Sequence, residues 1–251
     1  MPTDGSNSTD LLRESNLLRR FETDVALAGL IGESKNAKIV LLAALSAKLA
    51  KPLNVSVHGS SSAGKNHLTG TVARFIPDEH KKMLTGMSPK TLMYSAEDEF
   101  QHKAVFVAEY EGVSGADYAI RVMQSERVIE WEYVESSKEG LVKRKKQVNG
   151  PAAFIQATTR VTLHPENETR LLFLEMDESE QQTRAVNKRQ AEEAERRVPA
   201  VPANLFTNWH TLLRRLQSTT VKIPFAGQLG GGLASGSRPL TQRPAEVART
   251  D

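Results

Sequence analysis

The sequence predicts an α/β fold in which a parallel β-sheet lies between two layers of helices. Short apolar runs that are typical of buried parallel strands alternate with helical patterns along the 251 residues. The first strand is followed by a glycine loop and then a helix, a common unit of such sheets. Two later strands are joined by a short polar turn, so we also expect an inserted β-hairpin.

The predicted elements alternate along the chain. Residues 1–10 are polar and are predicted to be disordered, whereas apolar residues recur at helical spacing from Leu11 to Ala50. Apolar and alternating runs predict strands at Leu53–His58, Val105–Ala108, Ile129–Val134, Leu141–Val148, Ala152–Ala157 and Leu171–Met176. Helical patterns predict helices at Lys65–Phe75, Ala116–Val128, Gln181–Arg197 and Leu205–Leu216.

The order of these elements suggests one main domain with small additions. Residues 11–186 contain all the predicted strands and are predicted to form the core domain. Residues 187–226 are predicted to form a helical lid or C-terminal subdomain, in which Trp209 lies on the apolar side of the last helix. Residues 227–251 are rich in Gly, Ser, Pro and Arg and are predicted to be a flexible tail.

Composition excludes several classes of protein. The chain has no cysteine, which excludes a disulfide framework, a thiolate zinc site and a cysteine nucleophile. The formal net charge of +3 is too small to indicate a polyanion partner by itself. No apolar run approaches the roughly 20 residues that a membrane span needs, and no signal peptide is visible. We therefore expect a soluble, cytoplasmic protein with no membrane partner.

The unit of strand, glycine loop and helix carries the most specific motif. Eight consecutive residues match the phosphate-loop pattern G-x-x-x-x-G-K-[S/T] at every position but the last. They are Gly59, Ser60, Ser61, Ser62, Ala63, Gly64, Lys65 and Asn66. Glycines let backbone N–H groups turn toward phosphate oxygens, and the following helix adds its positive dipole end. The motif therefore predicts nucleotide binding, with an ordinary strand-to-helix turn as the alternative.

At two positions whose side chains usually help to bind Mg²⁺, this sequence has a different type of residue. Asn66 stands where a Ser or Thr hydroxyl normally reaches Mg²⁺. Its amide oxygen can ligate a hard cation, but the longer side chain changes the geometry. Ala108 stands where an Asp usually helps to hold the ion. Asn66 and Glu109 are therefore the predicted metal ligands, and the two departures put turnover in doubt.

Glu109 directly follows the predicted strand Val105–Ala108. Nucleotide hydrolysis needs a group that orients the attacking water beside the γ-phosphate, and a carboxylate at the end of a neighbouring strand meets this need. We therefore predict that Glu109 is catalytic. The alternative is that Glu109 and Glu111 are surface carboxylates just beyond a strand.

Two further candidates lie near the ends of later strands. Thr158 and Thr159 follow a strand that we expect between the loop strand and the acidic strand, and Thr159 is predicted to sense the γ-phosphate or the water. Arg170 begins the next strand, where an arginine finger can reach a neighbouring subunit's phosphate. Pairing of Arg170 with Glu166 or Glu168 is an equally good interpretation.

These motifs in this order resemble those of an AAA+ ATPase. The predicted hairpin precedes the strand that ends in Thr158, and it is similar to the pre-sensor hairpin of the helicase-loader and minichromosome-maintenance-like clades. Residues 102–121 and 163–170 resemble ATPase modules that accompany primases in phages and mobile elements. The resemblance covers about residues 15–225. It implies a three-layer AAA+ core, ATP and Mg²⁺ as cofactors, hexamerisation, and movement along or remodelling of DNA.

One arm of the predicted hairpin is strongly basic. Its four consecutive cations are Lys143, Arg144, Lys145 and Lys146. In a hexameric ring such arms project into the central channel, where they would contact the backbone of single-stranded DNA. A lysine-rich arm can instead protect an exposed edge strand. Trp131 and Tyr133 on the other arm are expected to pack in the sheet rather than to stack on bases.

Two functional hypotheses follow. The first is a DNA-stimulated ATPase, helicase-like or primase-associated, that acts with a replication partner of a mobile element as a homo-oligomer. The second is a nucleotide-binding switch or loader with little turnover that acts through protein partners, and Asn66 and Ala108 favour it. A ring-type transcription activator and a small-molecule kinase are weaker alternatives, because no promoter-polymerase loop motif and no substrate-lid arginine set are visible.

Overall fold

The computed structural model describes residues 8–86, 88–109, 116–137, 140–159, 170–195, 197–198 and 200–217. The strands are β1 (Asn54–His58), β2 (Lys81–Leu84), β3 (Ala104–Val107), β4 (Val128–Ser137), β5 (Gly140–Asn149), β6 (Ala153–Thr158) and β7 (Leu171–Glu175). The helices are α1 (Ser8–Arg13), α2 (Leu17–Leu27), α3 (Ser34–Ser46), α4 (Lys65–Ala73), α5 (Pro89–Tyr94), α6 (Asp117–Glu126), α7 (Glu180–Ala194) and α8 (Leu205–Arg215).

Five strands form a parallel sheet in the order β2-β3-β6-β1-β7. The predicted α/β fold with a parallel sheet is confirmed, and β6 lies between β1 and β3 as predicted. The carboxyl ends of parallel strands meet at one edge of the sheet, and β1, β3 and β6 bring their following residues to this edge. The hairpin of β4 and β5 forms a separate antiparallel sheet of two strands.

The first hydrophobic core lies between one face of the sheet and helices α2, α3, α4 and α8. Val55 and Val57 of β1 point into it and are fully buried. Trp209 of α8 packs edge-on against Phe21 of α2 and Phe75, with ring centroids 5.4 and 5.9 Å apart. Such aromatic pairs add to the free energy gained by removing large apolar side chains from water. The core thus fixes α3 and α4 against the strand that carries the glycine loop.

The second hydrophobic core lies on the opposite face of the sheet. It joins Val105 and Val107 of β3 to Ile120 and Met123 of α6 and to the base of the hairpin. Because side chains alternate along a strand, the three other residues of β1 face this side. They are polar and buried, namely Asn54, Ser56 and His58.

Several boundaries differ from the sequence-based expectations. The short elements β2 and α5 were not predicted, and α1 begins at Ser8, inside the segment that was predicted to be disordered. The predicted boundary between residues 186 and 187 falls inside α7, and α8 packs in the first core rather than apart from it. Residues 1–7 and the predicted tail 227–251 lie outside the described residues. Within the described part of the chain, no helix is both long enough and apolar enough to cross a membrane.

Candidate functional site

The glycine loop connects the carboxyl end of β1 to the amino end of α4, as the motif predicts. Gly64 precedes α4 with a φ of +84°, a backbone conformation that residues with side chains rarely adopt. Ser62 also has a positive φ, of 70°. No side-chain hydrogen bond caps α4, so the first N–H groups of this helix are directed toward the loop. An anion there would meet these donors and the positive end of the helix dipole.

Lys65 lies in the first turn of α4, and its side chain folds back over the loop. Its Nζ donates hydrogen bonds to the carbonyl oxygens of Gly59 at 2.8 Å and Ser60 at 2.6 Å. The positive charge is therefore held directly against the loop backbone. Asn66, the next residue, is exposed on the same turn. The loop thus combines N–H donors, a helix N-terminus and an ammonium group, which is the chemistry that binds phosphate groups.

An acidic residue that the sequence did not predict contacts the loop from the other side. The Oε1 atom of Glu178, which follows β7, accepts a hydrogen bond of 2.6 Å from the backbone N–H of Ser60. This bond lowers the pKa of the Glu178 carboxyl below its ordinary value, and the positive charge of Lys65 lowers it further. The carboxylate is therefore ionised at neutral pH, and a phosphate group in the loop would experience its repulsion.

Two of the remaining predicted residues, Thr158 and Glu109, lie at the carboxyl ends of β6 and β3. Thr158 ends β6, is buried, and pairs in register with His58, the last residue before the loop. On the other side, Val107 pairs with Gln156, and continuing that register by two residues sets Glu109 beside Thr158. Glu109 is exposed at this edge. Its predicted position near the loop is thus consistent with the sheet order.

The third polar residue at this edge is Thr159, which directly follows β6. Its side chain is exposed, whereas that of Thr158 is buried. An exposed hydroxyl at a strand end is open to a ligand bound at the same edge. Thr159 therefore remains the better candidate for a sensing role. Its contact with phosphate or water stays a prediction.

The described residues hold no group of three or more histidine or acidic side chains that could bind a metal ion. Mg²⁺ in nucleotide sites is usually held by one or two carboxylates, phosphate oxygens and water rather than by a protein cage. Asn66 and Glu109 fit such a sparse ligand set, since both are exposed near the same sheet edge. They would hold the ion together with the phosphates that the loop binds.

A cavity of about 630 Å³ adjoins the loop. Its walls are the loop itself, the segment between α2 and α3, the residues after β7, and one face of α7. Apolar side chains on these walls include Leu30, Ile31, Met176 and Val186, and Gln182 supplies an amide. This volume lies within the range of small-molecule sites. A ligand anchored by phosphates in the loop therefore has room beside it for further groups.

A family model described as "MTBMA_p00010 P-loop domain" matches residues 7–207. The chain belongs to this P-loop family. Membership agrees with the geometry of Gly59–Asn66 and implies that this P-loop domain binds nucleotide. A comparison with curated proteins found no match.

Arg170 lies at the opposite edge of the sheet from the phosphate loop of the same chain. It precedes β7, whose first residue pairs with Asn54 and whose last residue pairs with His58. Arg170 is therefore about 16 Å along the sheet from the loop edge. Its Nε donates a hydrogen bond of 2.9 Å to Ser125 of α6. Arg170 is therefore too far from the loop of its own chain to contact a phosphate bound there, and its role as an arginine finger for a neighbouring subunit stays a prediction. Glu166 and Glu168, its predicted alternative partners, lie outside the described residues.

The hairpin is present as predicted, but most of its basic residues are paired with glutamates. Lys143 contacts Glu132 at 2.5 Å, and Lys145 contacts Glu130 at 2.9 Å. Both ion pairs lie on one face of the hairpin, because residues opposite each other in an antiparallel pair share a face. This face is therefore nearly neutral, which weakens its attraction for a polyanion.

The other face of the hairpin carries the remaining cations together with aromatic rings. Arg144 lies opposite Tyr133 and is paired with Glu135 at 3.3 Å, and Lys146 lies opposite Trp131. Lys146 donates a hydrogen bond of 2.8 Å to the carbonyl oxygen of Tyr94. The Nζ atom of Lys146 lies 5.6 Å from the centre of the Tyr94 ring, which is exposed. Trp131 packs against the second core, so the expectation of packing is confirmed for this residue.

The groups that line the loop cavity after β7 were not predicted from the sequence. Asp177 and Glu178 follow the apolar run of β7, as Glu109 follows that of β3, and the same signal would have marked them as strand-end carboxylates. The backbone N–H of Asp177 donates to the buried carboxylate of Glu33 at 2.8 Å, so this segment is tied to the start of α3. Gln182 carries no comparable signal, because it lies in a helix of mostly polar residues.

Proposed function

We propose that this P-loop domain binds and hydrolyses ATP with Mg²⁺ and acts on single-stranded DNA, as a helicase-like or primase-associated ATPase of mobile-element replication. The observation that carries the proposal is the order of the sheet. β6 lies between the strand of the phosphate loop and the strand that leads to Glu109, which brings Glu109 and the polar residues after β6 to the edge where the loop binds phosphate.

In this proposal each group at the sheet edge has one task. The loop and Lys65 hold the phosphates, and Asn66 with Glu109 helps to hold Mg²⁺. The Glu109 carboxylate orients the attacking water, and Thr159 contacts the γ-phosphate or that water. Arg170 of a neighbouring subunit stabilises the negative charge on the transferred phosphoryl group. The active form is therefore a homo-oligomer with head-to-tail contacts, which close into a ring, and the resemblance to AAA+ ATPases favours a hexamer.

DNA contact is assigned to the hairpin face that carries Arg144, Lys146 and Tyr133. Single strands are bound by cations along the backbone and by rings on which bases stack, and this face offers both. Arg144 is paired with Glu135, so Lys146 supplies the excess positive charge of this face. Lys143 and Lys145 belong to the basic arm as well, but each has a glutamate partner, so their face carries no excess charge for phosphates. Repeated around a ring, the face would surround a strand with positive charge.

ATP turnover with and without single-stranded DNA, measured together with the mass of the protein in solution, tests this function. DNA is expected to raise the rate of hydrolysis, and the mass is expected to exceed that of one chain. Lys65→Ala should abolish nucleotide binding, whereas Glu109→Gln should keep binding and lose turnover. The same rate with and without DNA would contradict the DNA-dependent part of the proposal.

The second candidate is a nucleotide-binding switch or loader with little turnover. Ala108 and Asn66 favour it, because two positions that usually handle Mg²⁺ lack their ordinary groups. The ion pairs of Lys143 and Lys145 favour it too, since they reduce the charge available to DNA. Tight ATP binding without measurable hydrolysis, and a Glu109→Gln variant that behaves as the unmodified protein, would establish this alternative.

A further inference from the structure

An exposed tyrosine lies beside the hairpin face that carries the aromatic rings. Tyr94 is the last residue of α5, and its exposed fraction is 62%. A single exposed ring is common on protein surfaces. What distinguishes Tyr94 is its neighbours, which are a cation and a second ring of the hairpin.

Lys146 joins Tyr94 to the hairpin. Its Nζ donates a hydrogen bond of 2.8 Å to the carbonyl oxygen of Tyr94. The same atom lies 5.6 Å from the centre of the Tyr94 ring and 5.9 Å from the centre of a ring of Trp131. An ammonium group within about 6 Å of an aromatic ring is attracted to its face. Among the described residues no carboxylate pairs with Lys146, so its charge stays available between the two rings.

The acidic groups that follow α5 are turned toward the other face of the hairpin. The carboxylates of Glu97 and Asp98 accept hydrogen bonds from Nδ2 of Asn149 at 3.3 and 3.0 Å. Asn149 lies three residues after Lys146 on β5, and side chains alternate along a strand, so the two side chains lie on opposite faces. These carboxylates are thus held away from the face where Lys146 meets Tyr94.

Tyr94 extends the row of groups on this hairpin face. Tyr133 and Arg144 form the next opposing pair on the face, toward the tip of the hairpin. Successive pairs on one face are about 7 Å apart along the strands, which is about the length of two stacked nucleotides. A single strand whose phosphates meet Arg144 and Lys146 therefore has bases within reach of both tyrosines.

We propose that Tyr94 is a stacking platform for a base of single-stranded DNA and extends the DNA-contact surface from the hairpin onto α5. The inference rests on the proposed DNA contact of the hairpin, and it adds a residue outside the hairpin that binds bases rather than phosphates. Every base has a π-face, so this contact makes little distinction between sequences. Lys146 is the positioning residue, because it holds the end of α5 against β5.

Fluorescence anisotropy with a labelled oligothymidylate tests the proposal. Tyr94→Ala should weaken binding about tenfold, because the stacking of one base is lost, whereas Tyr94→Phe should bind as the unmodified protein does. The slope of log affinity against log salt concentration should stay the same, since Tyr94→Ala removes no cation. Tyr118→Ala is the matched control, because Tyr118 is a tyrosine with an exposed fraction of 72% at the start of α6, the end that is farther from β4 along the chain.

A strand of the same length without bases separates stacking from other effects. Tyr94→Ala and the unmodified protein should bind this abasic strand equally. An equal loss of affinity on both strands, or a shallower salt slope that indicates a displaced Lys146, would overturn the inference.

The proposed function and this inference can fail separately. If Tyr94→Ala binds oligothymidylate as the unmodified protein does while Arg144→Ser/Lys146→Ser weakens binding, the hairpin contact stands and the role of Tyr94 is refuted. Failure of the unmodified protein to bind the strand would refute the DNA contact in the proposed function, and the inference with it.

Discussion

The carboxylate of Glu178 accepts a hydrogen bond of 2.6 Å from the backbone N–H of Ser60, within the phosphate loop. The loop therefore holds an anionic group of its own chain on one of its backbone donors. The hydrogen bond from Ser60 lowers the pKa of this carboxyl, and attraction between the carboxylate and the ammonium of Lys65 lowers it further. Phosphate groups that enter must compete with Glu178 or accept its repulsion.

The first prediction concerns this competition. Glu178→Gln keeps the size of the side chain but removes its charge, so affinity for ATP should rise about three- to tenfold, because one repulsive charge near the phosphates is lost. Calorimetric titration at pH 7 measures the change. Glu180→Gln is the control, as Glu180 is an exposed residue of α7 that pairs with Arg184 and does not line the cavity. An unchanged or weaker affinity in Glu178→Gln would contradict the competition.

A second prediction concerns the two faces of the hairpin. The face of Arg144 and Lys146 carries the aromatic rings and one positive charge in excess, since its glutamate, Glu135, pairs with Arg144. On the other face both Lys143 and Lys145 are paired with glutamates. The double variant Arg144→Ser/Lys146→Ser should weaken binding to a single strand more than Lys143→Ser/Lys145→Ser, although each removes two positive charges. For the Arg144→Ser/Lys146→Ser variant, the slope of log affinity against log salt concentration should also become shallower by about 1.4, because two phosphate contacts are lost.

Fluorescence anisotropy with a labelled oligonucleotide, repeated over a range of salt concentrations, measures both quantities. Equal losses in the two double variants would show that only total charge matters. Unchanged affinity in a variant with all four residues changed to Ser would remove DNA contact from the hairpin altogether.

The third prediction concerns the hydrogen bond between Asp24 of α2 and Trp209 of α8. Asp24 is buried, accepts a hydrogen bond of 2.8 Å from Nε1 of Trp209, and is paired with Arg20 at 3.0 Å. Trp209→Phe keeps an aromatic ring in the core but leaves Asp24 without that donor, which should cost about 1–3 kcal/mol of unfolding free energy. Asp24→Ala should cost more than Trp209→Phe, because the ion pair with the partly exposed Arg20 is lost as well.

Urea denaturation followed by circular dichroism measures these free energies. ATP affinity should stay the same in Trp209→Phe under native conditions, since α8 does not line the loop cavity. A Trp209→Phe protein as stable as the unmodified one would show that the hydrogen bond to Asp24 contributes nothing.

A fourth prediction follows from the pairing of Glu79 with Arg214. The hydrogen bond from Arg214 lowers the pKa of the Glu79 carboxyl from 4.5 to about 2. A folded-state pKa below the unfolded one contributes stability that is present above pH 4.5 and is lost as the pH falls toward 2. Glu79→Gln should therefore lower the urea midpoint at pH 6, and this difference should shrink progressively below pH 4.5. A difference that stays constant down to pH 2 would contradict this pairing.

Local patterns were sufficient to predict the elements that surround the loop. The glycine loop between a buried strand and a helix, and the hairpin, each depend on residues that are close in sequence. The place of β6 between β1 and β3, by contrast, depends on pairing between strands that are distant in sequence. Strand β2 was missed because Lys81–Leu84 is short and its apolar residues do not alternate with polar ones. It is a strand because it pairs with β3 along its full length.

The parts of the site that escaped prediction depend on contacts between distant residues. Glu178 reaches Ser60 across 118 residues, and Gln182 reaches Ile31 across 151. Neither contact follows from local composition. The pairing of Lys145 with Glu130 required the register of the hairpin, which fixes which charges share a face. The basic run was visible in sequence, but its neutralisation was not.

The most direct test of the proposed function is steady-state ATP hydrolysis, measured with and without single-stranded DNA, for the unmodified protein and for Glu109→Gln. The proposal predicts hydrolysis that rises when DNA is added, and a loss of at least about 100-fold in Glu109→Gln with ATP binding retained. Hydrolysis that is absent, or that is the same with and without DNA and unaffected by Glu109→Gln, would contradict it.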